Sequence, residues 1–318
     1  MLVNGQWVEN WQPLQAVDHE GGFVRQVSSF RHWVTVDGQA GPTGEGGFKA
    51  EKGRYHLYVA LICPWASRTL IALALKGLTD VISVSVVEPQ LSDCGWRFGD
   101  SFDANHDEIN HKQYMHEIYT MADSNFTGRA TVPVLWDKKR QIIVNNESAD
   151  IIRMLNSGFV DFAHTDYELY PESLQNDIDT LNQQIYQKLN NGVYRAGFAT
   201  TQIAYEHAVG DVFSMLDQLE ERLSKYRYLF GDVFTESDIR LFVTLIRFDV
   251  AYHGLFKCNL KKLSDYPSLS RYVQEILHIP GVANTVNFEH IKQGYYSIKS
   301  LNPLGIVPLG PEIKFELS

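Results

Sequence analysis

Cysteine is scarce in this chain of 318 residues, which contains only Cys63, Cys94 and Cys258. The three are widely spaced and odd in number, which excludes a disulfide framework as the basis of the fold. None of them belongs to a Cys-x-x-Cys pair, the spacing that marks many structural zinc sites. We therefore expect free thiols, a reducing compartment and no metal.

Basic charge is also in short supply. The chain has 28 Lys and Arg against 38 Asp and Glu, a formal net charge of -10. Surfaces that bind nucleic acid or an anionic membrane need clustered Lys and Arg, so we expect neither partner. The start, MLVNGQWVENWQ, lacks a basic region followed by an apolar stretch. A secretory signal is therefore not expected, and the cytoplasm is the expected location.

An uninterrupted apolar run is missing even from residues 57–78, the stretch around which the chain is organised. Pro64 and Arg68 lie in its middle, and an arginine there is costly in hydrocarbon, which excludes a membrane span. Residues 57–62 instead predict a buried strand, and the apolar spacing from 70 to 78 predicts a helix. Pro64 suits the first helical position, where a missing N–H costs nothing.

Cys63 lies at the joint between that strand and that helix. A cysteine just before such a proline faces the unpaired amides and the positive end of the helix, which stabilises thiolate over thiol. This arrangement produces a nucleophilic cysteine without a metal. The competing interpretation is a buried structural cysteine, the commonest role of a free thiol, and the local pattern leaves both open.

Further elements continue the same α/β pattern. A strand at 81–87 is followed by a long connection at 88–129, a hairpin at 131–137 and 141–147, and a glycine-terminated helix at 148–158. Four helical patterns come next, at 172–194, 201–226, 235–256 and 267–282. The third begins with a capping box, in which Thr235 is the N-cap and Asp238 lies three residues on.

These patterns predict two domains with flanking segments. The glycine-rich residues 38–55 lack the Gly-Lys-Ser/Thr ending of a phosphate loop, so they predict an irregular extension. The predicted segments are an N-terminal extension at 1–52, an α/β domain at 53–158, a linker at 159–171, an all-helical domain at 172–296 and an irregular tail at 297–318.

An α/β domain with a cysteine at its first helix, followed by a helical domain, resembles the glutathione transferase superfamily. The sequence is most similar to its Xi class, the glutathionyl-hydroquinone reductases, and the similarity covers nearly the whole chain. The matching motifs are Cys-Pro-Trp-Ala at 63–66, Cys-Gly-Trp-Arg-Phe at 94–98, Thr-Val-Pro-Val-Leu-Trp-Asp at 131–137, Asn-Glu-Ser at 146–148, Tyr-Arg-Ala-Gly-Phe-Ala at 194–199 and Arg-Phe-Asp at 247–249. The resemblance implies a thioredoxin-like N-terminal domain plus an all-α C-terminal domain.

The resemblance also implies a glutathione site. Pro133 would be a cis proline that leaves the Val132 backbone free to pair with the cysteinyl part of glutathione, although a strand-starting proline is the alternative. Glu147 would bind the ammonium of the γ-glutamyl end, and Ser148 its carboxylate. A plain N-cap role for Ser148 is compatible with this.

Other expected glutathione contacts are Trp96 and Arg129, which lie in the long connection, whereas Arg97 is more typical of a surface arginine. Ala66 occupies the position at which a dithiol oxidoreductase has its resolving cysteine. The enzyme must then use a second glutathione from solution. Cys63 is the expected nucleophile, and Cys94 and Cys258 are expected to be buried, inert thiols.

The helical domain should supply the acceptor pocket. Tyr194, Tyr252 and Tyr295 resemble the family tyrosines that converge on the sulfur and the quinol oxygen, and Tyr296 could replace Tyr295. A phenol can donate a proton to a leaving group, but a half-buried core tyrosine is the more frequent role.

The resemblance implies glutathione-dependent reduction of S-glutathionyl-hydroquinones through a Cys63 mixed disulfide, with glutathione as co-substrate, aromatic conjugates as partners and a homodimeric assembly. Three alternatives remain at this point. One is an ordinary conjugating transferase, although such an enzyme would use a serine or tyrosine in place of Cys63. Another is a different cysteine-type glutathione transferase, such as a thiol transferase or dehydroascorbate reductase. The third is a non-catalytic binding protein on the same scaffold.

Overall fold

The structure is a computed structural model that describes residues 1–8, 16–312 and 315. Residues 9–15 of the predicted extension, and 313, 314 and 316–318 of the predicted tail, lie outside the described residues. The chain divides into two compact units. The first comprises Met1–Pro13, Val27–Tyr167 and Thr285–Gly294, and the second comprises Leu14–Gln26, Glu168–Asn284 and Tyr295–Ser318.

Short strands and longer helices make up the described chain. The strands are β1 (Leu2–Val3), β2 (Gln6–Trp7), β3 (Ala16–Val17), β4 (Phe23–Val24), β5 (Tyr55–Val59), β6 (Ser83–Val86), β7 (Val134–Asp137) and β8 (Ile142–Asn145). The α-helices are α1 (Pro64–Leu75), α2 (Met115–Ala122), α3 (Ser148–Arg153), α4 (Gln175–Ile185), α5 (Gly192–Gly197), α6 (Gln202–Lys225), α7 (Glu236–Leu245), α8 (Pro267–Leu277) and α9 (Phe288–Tyr296). Among the described residues, no helix has the length and apolar character needed to cross a bilayer.

The first unit is built on a four-stranded sheet with the order β6-β5-β7-β8. Strand β5 pairs parallel with β6 and antiparallel with β7, and all five of its residues are buried. A strand that is covered on both faces is mostly apolar, which fits the large side chains of β5; the buried His56 is an exception. Strands β7 and β8 form the predicted antiparallel hairpin.

Helix α1 follows β5, and most of its residues are buried. Pro64 occupies its first turn and Cys63 is its N-cap, both as predicted. The strand before it is β5 at Tyr55–Val59, which begins and ends earlier than the predicted 57–62. The helix stops before Gly77, whose φ of 65° requires a glycine, and the Leu78 N–H donates to the Leu73 carbonyl in the manner of a glycine-terminated helix.

The second unit is helical, with the β3–β4 hairpin added from the N-terminal region. The predicted helix at 172–194 is interrupted: α4 runs into a π-helical turn at Tyr186–Asn190, and α5 begins at Gly192. Asn190 is buried in this turn, where its side-chain amide donates to the Arg240 carbonyl and the Thr244 hydroxyl of the α7 region. These tertiary hydrogen bonds, with the weak helix propensity of Asn-Asn-Gly, account for the break.

Helix α7 begins with the predicted capping box. The Asp238 carboxylate accepts a hydrogen bond of 2.8 Å from the Thr235 N–H and one of 3.0 Å from the Leu229 N–H. The predicted helix at 235–256 ends as an α-helix at Leu245 and continues as a π-helical turn at Phe248–Tyr252.

Helix α9 was not predicted. The Asn287 side chain accepts from the His290 N–H at 2.9 Å, which satisfies one of the free amides at the start of this helix. The described part of the tail after residue 300 contains neither helix nor strand, as its Pro and Gly content predicts.

Candidate active site

Cys63 forms the centre of the candidate site in the first unit. Its side chain is partly exposed, and its Sγ atom lies 3.6 Å from the carbonyl oxygen of Val132, to which the thiol donates. The first turn of α1, which follows Cys63, contains no acidic side chain; its residues are Pro64, Trp65, Ala66 and Ser67. The positive end of the helix dipole therefore acts on the sulfur without a neutralising carboxylate in that turn, which favours thiolate.

The Val132 carbonyl belongs to the loop that enters β7, and the bond between Val132 and Pro133 is cis, as predicted. The buried phenol of Tyr119 holds this loop. Its hydroxyl donates to the Thr131 carbonyl at 2.9 Å and accepts from the Thr131 N–H at 3.2 Å and from the Asn146 amide at 3.1 Å. Sequence reasoning missed Tyr119, because nothing in the local pattern of α2 indicates a partner in a distant loop.

Glu147 is the N-cap of α3, which corrects the suggestion that Ser148 has this role. One carboxylate oxygen accepts from the Ala149 N–H at 3.1 Å, and the other accepts from the Ser28 hydroxyl at 2.9 Å. Ser28 comes from the N-terminal extension and was not predicted as a site residue. Its hydroxyl helps to hold the carboxylate that the resemblance assigns to the ammonium of glutathione.

Ser148 is buried at the first position of α3, and a buried cation lies next to it. The Arg68 guanidinium donates to the Ser148 hydroxyl at 3.4 Å and lies 4.3 Å from the centre of the Trp65 ring. Arg68 is only 2% exposed. Helix α1 therefore contributes both the cysteine and a positive charge beside Ser148, a combination suited to an anionic group.

Trp96 and Arg129 are both partly exposed in the long connection. The Trp96 carbonyl accepts from the Met115 N–H at 2.9 Å, which ties its segment to the start of α2. Gly128, beside Arg129, exchanges two backbone hydrogen bonds of 3.0 Å with Leu2. Their roles as glutathione contacts still rest on the resemblance alone.

The three predicted tyrosines come together in the second unit. The Tyr295 hydroxyl oxygen lies 2.7 Å from that of Tyr194 and 2.8 Å from that of Tyr252. Burial raises the pKa of Tyr252 and of Tyr295 well above the ordinary value for a phenol, so both remain protonated near neutral pH. Tyr194 is the most exposed of these three linked tyrosines, whose hydroxyl groups we call the hydroxyl chain.

The structure distinguishes Tyr295 from Tyr296. Tyr295 is 2% exposed and is the middle member of the hydroxyl chain, whereas Tyr296 is partly exposed and its hydroxyl lies near Gly254. Phe256 packs against the three tyrosines whose hydroxyls are linked, with ring centres 5.2–5.6 Å apart. Close approach of Phe256 to α5 requires Gly197, where a Cβ would lie 2.4 Å from the Phe256 ring.

The other two thiols differ from one another. Cys258 is buried, and burial raises its pKa to about 12, so it is inert as predicted. Cys94 was predicted to be buried, but it is partly exposed in the surface turn at Ser92–Gly95. Within the described ranges, no group of three or more His, Cys, Asp or Glu side chains is arranged to hold a metal ion.

Family models match both parts of the chain. The glutathione S-transferase N-terminal domain matches residues 62–157, and the glutathione S-transferase C-terminal domain matches residues 202–275.

Curated relatives match over almost the full length. A glutathionyl-hydroquinone reductase of Escherichia coli, YqjG, is 50% identical and covers 98% of this chain and 94% of its own. Another of Sphingobium chlorophenolicum, PcpF, is 47% identical and covers 98% of this chain and 96% of its own.

Solved structures agree with these relatives. The glutathione-bound structure of Escherichia coli YqjG matches with a TM-score of 0.90 at 48% identity, covering 98% of this chain and 96% of that one. The Xi glutathione-S-transferase of Phanerochaete chrysosporium matches with a TM-score of 0.88 at 46% identity, covering 95% of this chain and 96% of that one. With a thioredoxin-like unit, a helical unit and a cysteine at the start of α1, the chain therefore belongs to the glutathione transferase superfamily, in its Xi-class group of glutathionyl-hydroquinone reductases.

Proposed function

We propose that the protein reduces S-glutathionyl-hydroquinones to hydroquinones at the expense of glutathione. The observation that carries this proposal is the position of Cys63, a partly exposed N-cap cysteine whose Sγ faces the Val132 carbonyl. A serine or tyrosine at this position would activate bound glutathione for conjugation. A thiolate can instead form a covalent bond to the glutathionyl sulfur.

In the first half-reaction the Cys63 thiolate attacks the sulfur of the conjugate. The new bond joins the two sulfurs, and the carbon–sulfur bond breaks. Its electron pair stays on the aromatic carbon, which takes a proton from Tyr194 and leaves as the hydroquinone. The aromatic part is reduced, and the two sulfurs are oxidised to a mixed disulfide.

In the second half-reaction a free glutathione thiolate attacks the glutathionyl sulfur of the mixed disulfide. Glutathione disulfide leaves, and the electron pair returns to Cys63 as thiolate. The sum converts one conjugate and one glutathione into one hydroquinone and one glutathione disulfide. This half-reaction needs an external thiol, because Ala66 provides no resolving cysteine.

Within the first unit, Glu147 and Ser148 would hold the γ-glutamyl ammonium and carboxylate of glutathione. The Val132 backbone would pair with its cysteinyl part. Trp96 and Arg129 would complete the set. The charge of Arg68 beside Ser148 supports this orientation, because it favours a carboxylate at that end of the site.

The test combines intact mass with product detection. Mixing the protein with glutathionyl-menadiol in the absence of free glutathione should add one glutathionyl group to Cys63 and release one equivalent of menadiol. Added glutathione should remove the adduct with turnover. Cys63→Ala should abolish both events, whereas Cys94→Ala, which removes the other partly exposed thiol, should retain them.

Failure to form an adduct or release quinol would contradict the reductase proposal. Conjugation of glutathione to 1-chloro-2,4-dinitrobenzene that survives Cys63→Ala would then indicate a conjugating transferase. Ligand binding without any turnover would indicate a binding protein.

We also propose that the protein acts in the cytoplasm as a homodimer, with glutathione and aromatic glutathionyl conjugates as its partners. A compartment rich in reduced glutathione is needed for the second half-reaction. Two-fold pairing is the commonest assembly of soluble oligomers. Light scattering coupled to size exclusion should give twice the chain mass of 36.3 kDa, and a mass equal to one chain would contradict the dimer.

A further inference from the structure

The N-terminal hairpin β3–β4 is fastened to the segment that follows α5 in the second unit. The Gly21 carbonyl accepts from the Thr200 N–H at 3.0 Å, and the Glu20 carbonyl accepts from the Thr201 hydroxyl at 2.8 Å. The Phe23 ring lies 5.8 Å from the Phe198 ring. These contacts hold the end of β4, and the residues that follow it, next to α5, the helix that carries Tyr194.

Arg25 directly follows strand β4 of this hairpin and lies against Tyr194. Its guanidinium carbon lies 4.7 Å from the centre of the Tyr194 ring and 5.2 Å from that of Phe23. Its Nε donates to the Asn191 side-chain oxygen at 2.8 Å, three residues before Tyr194 on the chain. The guanidinium is therefore held from the start of α5 and lies over the face of the tyrosine on the same helix.

We propose that Arg25 is a positioning residue of the first half-reaction: it holds the Tyr194 ring in place and stabilises the phenolate that remains when Tyr194 donates its proton. This inference rests on the proposed function. A cation over an aromatic face is attracted to the ring, and the attraction grows when the ring gains negative charge. The Tyr295 hydroxyl lies 2.7 Å from the same oxygen and can donate to it once the phenolate has formed.

Other charged and titratable groups of the second unit lie near the three tyrosine hydroxyls. Arg247 is buried, and its charge acts on Tyr252 and Tyr295. Arg195, which follows Tyr194 on α5, pairs with Asp211 at 2.9 Å. Of the ring contacts described for Tyr194, the one with Arg25 is cationic, and those with Tyr252, Phe198 and Phe256 are aromatic.

The experiment separates the two half-reactions. Single-turnover mixing of enzyme with glutathionyl-menadiol, without free glutathione, measures proton-coupled release of the quinol. Reaction of the preformed Cys63 mixed disulfide with glutathione measures the second half alone. Arg25→Gln should slow the first by about tenfold, part of the 10²–10⁴-fold that a general acid contributes. The second should be unchanged, whereas general damage to the fold would slow both.

Three further variants make the result specific. Arg25→Lys keeps the charge but loses the planar group that Asn191 holds, so it should recover part of the lost rate. Arg195→Gln removes a charge from α5, the helix that carries Tyr194, and should behave as the wild type. In the Tyr194→Phe background, Arg25→Gln should cause no further loss, because its effect passes through the phenol. Additive losses, or an unchanged first half-reaction in Arg25→Gln, would overturn the inference while leaving the proposed function intact. An inactive wild-type protein would overturn both.

Discussion

The Sγ atom of Cys63 lies 3.6 Å from the carbonyl oxygen of Val132, 69 positions further along the chain. The contact joins the start of α1 to the loop before β7. The position of the nucleophilic sulfur therefore depends on the position of Val132, the expected backbone partner of glutathione. Tyr119 holds the same loop through hydrogen bonds to the Thr131 backbone. The geometry of the thiol therefore depends on a buried phenol in α2, a helix that lies far from Cys63 in the sequence.

Tyr119→Phe should destabilise the protein and weaken glutathione binding together. Loss of the hydroxyl leaves the Thr131 N–H and the Asn146 amide without this acceptor, at a cost of about 1–3 kcal/mol in the free energy of unfolding. Urea denaturation and the KM for glutathione are the measurements. Tyr226→Phe, at a side chain that is 52% exposed, is the matched control and should change neither. Equal stability of the two variants would contradict the role given to Tyr119.

Ser28→Ala should raise the KM for glutathione and lower the stability of the folded state only modestly. The Ser28 hydroxyl donates to Glu147 at 2.9 Å, and a lost hydrogen bond of about 0.5–1.5 kcal/mol corresponds to a KM increase of about twofold to twelvefold. The neighbouring Ser29 is exposed, so Ser29→Ala is the control. If Ser28→Ala lowered kcat and not the affinity for glutathione, Glu147 would have a different function from the one proposed.

Local pattern was sufficient for much of the fold. The N-cap position of Cys63, the hairpin of β7 and β8 and the capping box of Thr235 each depend on residues close together in sequence, and each was predicted. The thioredoxin-like and helical architecture followed from the resemblance, which combined many such motifs.

Features that depend on distant contacts were not predictable in this way. The break between α4 and α5 requires the buried Asn190 amide to reach α7, and α9 begins at a cap with little periodic signal around it. Ser28 and Arg25 act from the N-terminal extension, whose composition indicates only an irregular segment. Sequence spacing does not report which surface such a segment covers.

Asp238→Asn should change the pH dependence of stability. Burial raises the pKa of Asp238 from 3.8 to about 6, so the folded protein binds a proton there more readily than the unfolded chain does. Its contribution to stability is complete below about pH 4 and is lost as the pH rises through about 6, by about 3 kcal/mol in total. The neutral amide lacks this loss, although it also weakens the hydrogen bonds to Thr235 and Leu229. Urea denaturation between pH 4 and 7 should show the stability of the variant rising with pH relative to that of the wild type, and parallel curves would contradict this assignment.

His56→Gln should reveal a contribution to stability whose pH dependence is opposite to that of Asp238. His56 is 2% exposed, its Nδ1 lies 2.7 Å from the Ser83 hydroxyl, and burial lowers its pKa from 6.5 to about 4. The unfolded chain therefore binds a proton more readily, so this contribution is present above pH 6.5 and is lost as the pH falls through about 4, by about 3 kcal/mol.

Between pH 4 and 6.5 the contributions of His56 and Asp238 run in opposite directions, and the wild-type curve should be flatter than that of either variant. His56→Gln should gain stability relative to the wild type as the pH falls. The exposed His106→Gln should follow the wild type. A wild-type protein whose stability falls steeply in acid, together with a His56→Gln variant that falls equally steeply, would show that the acid-sensitive group lies elsewhere.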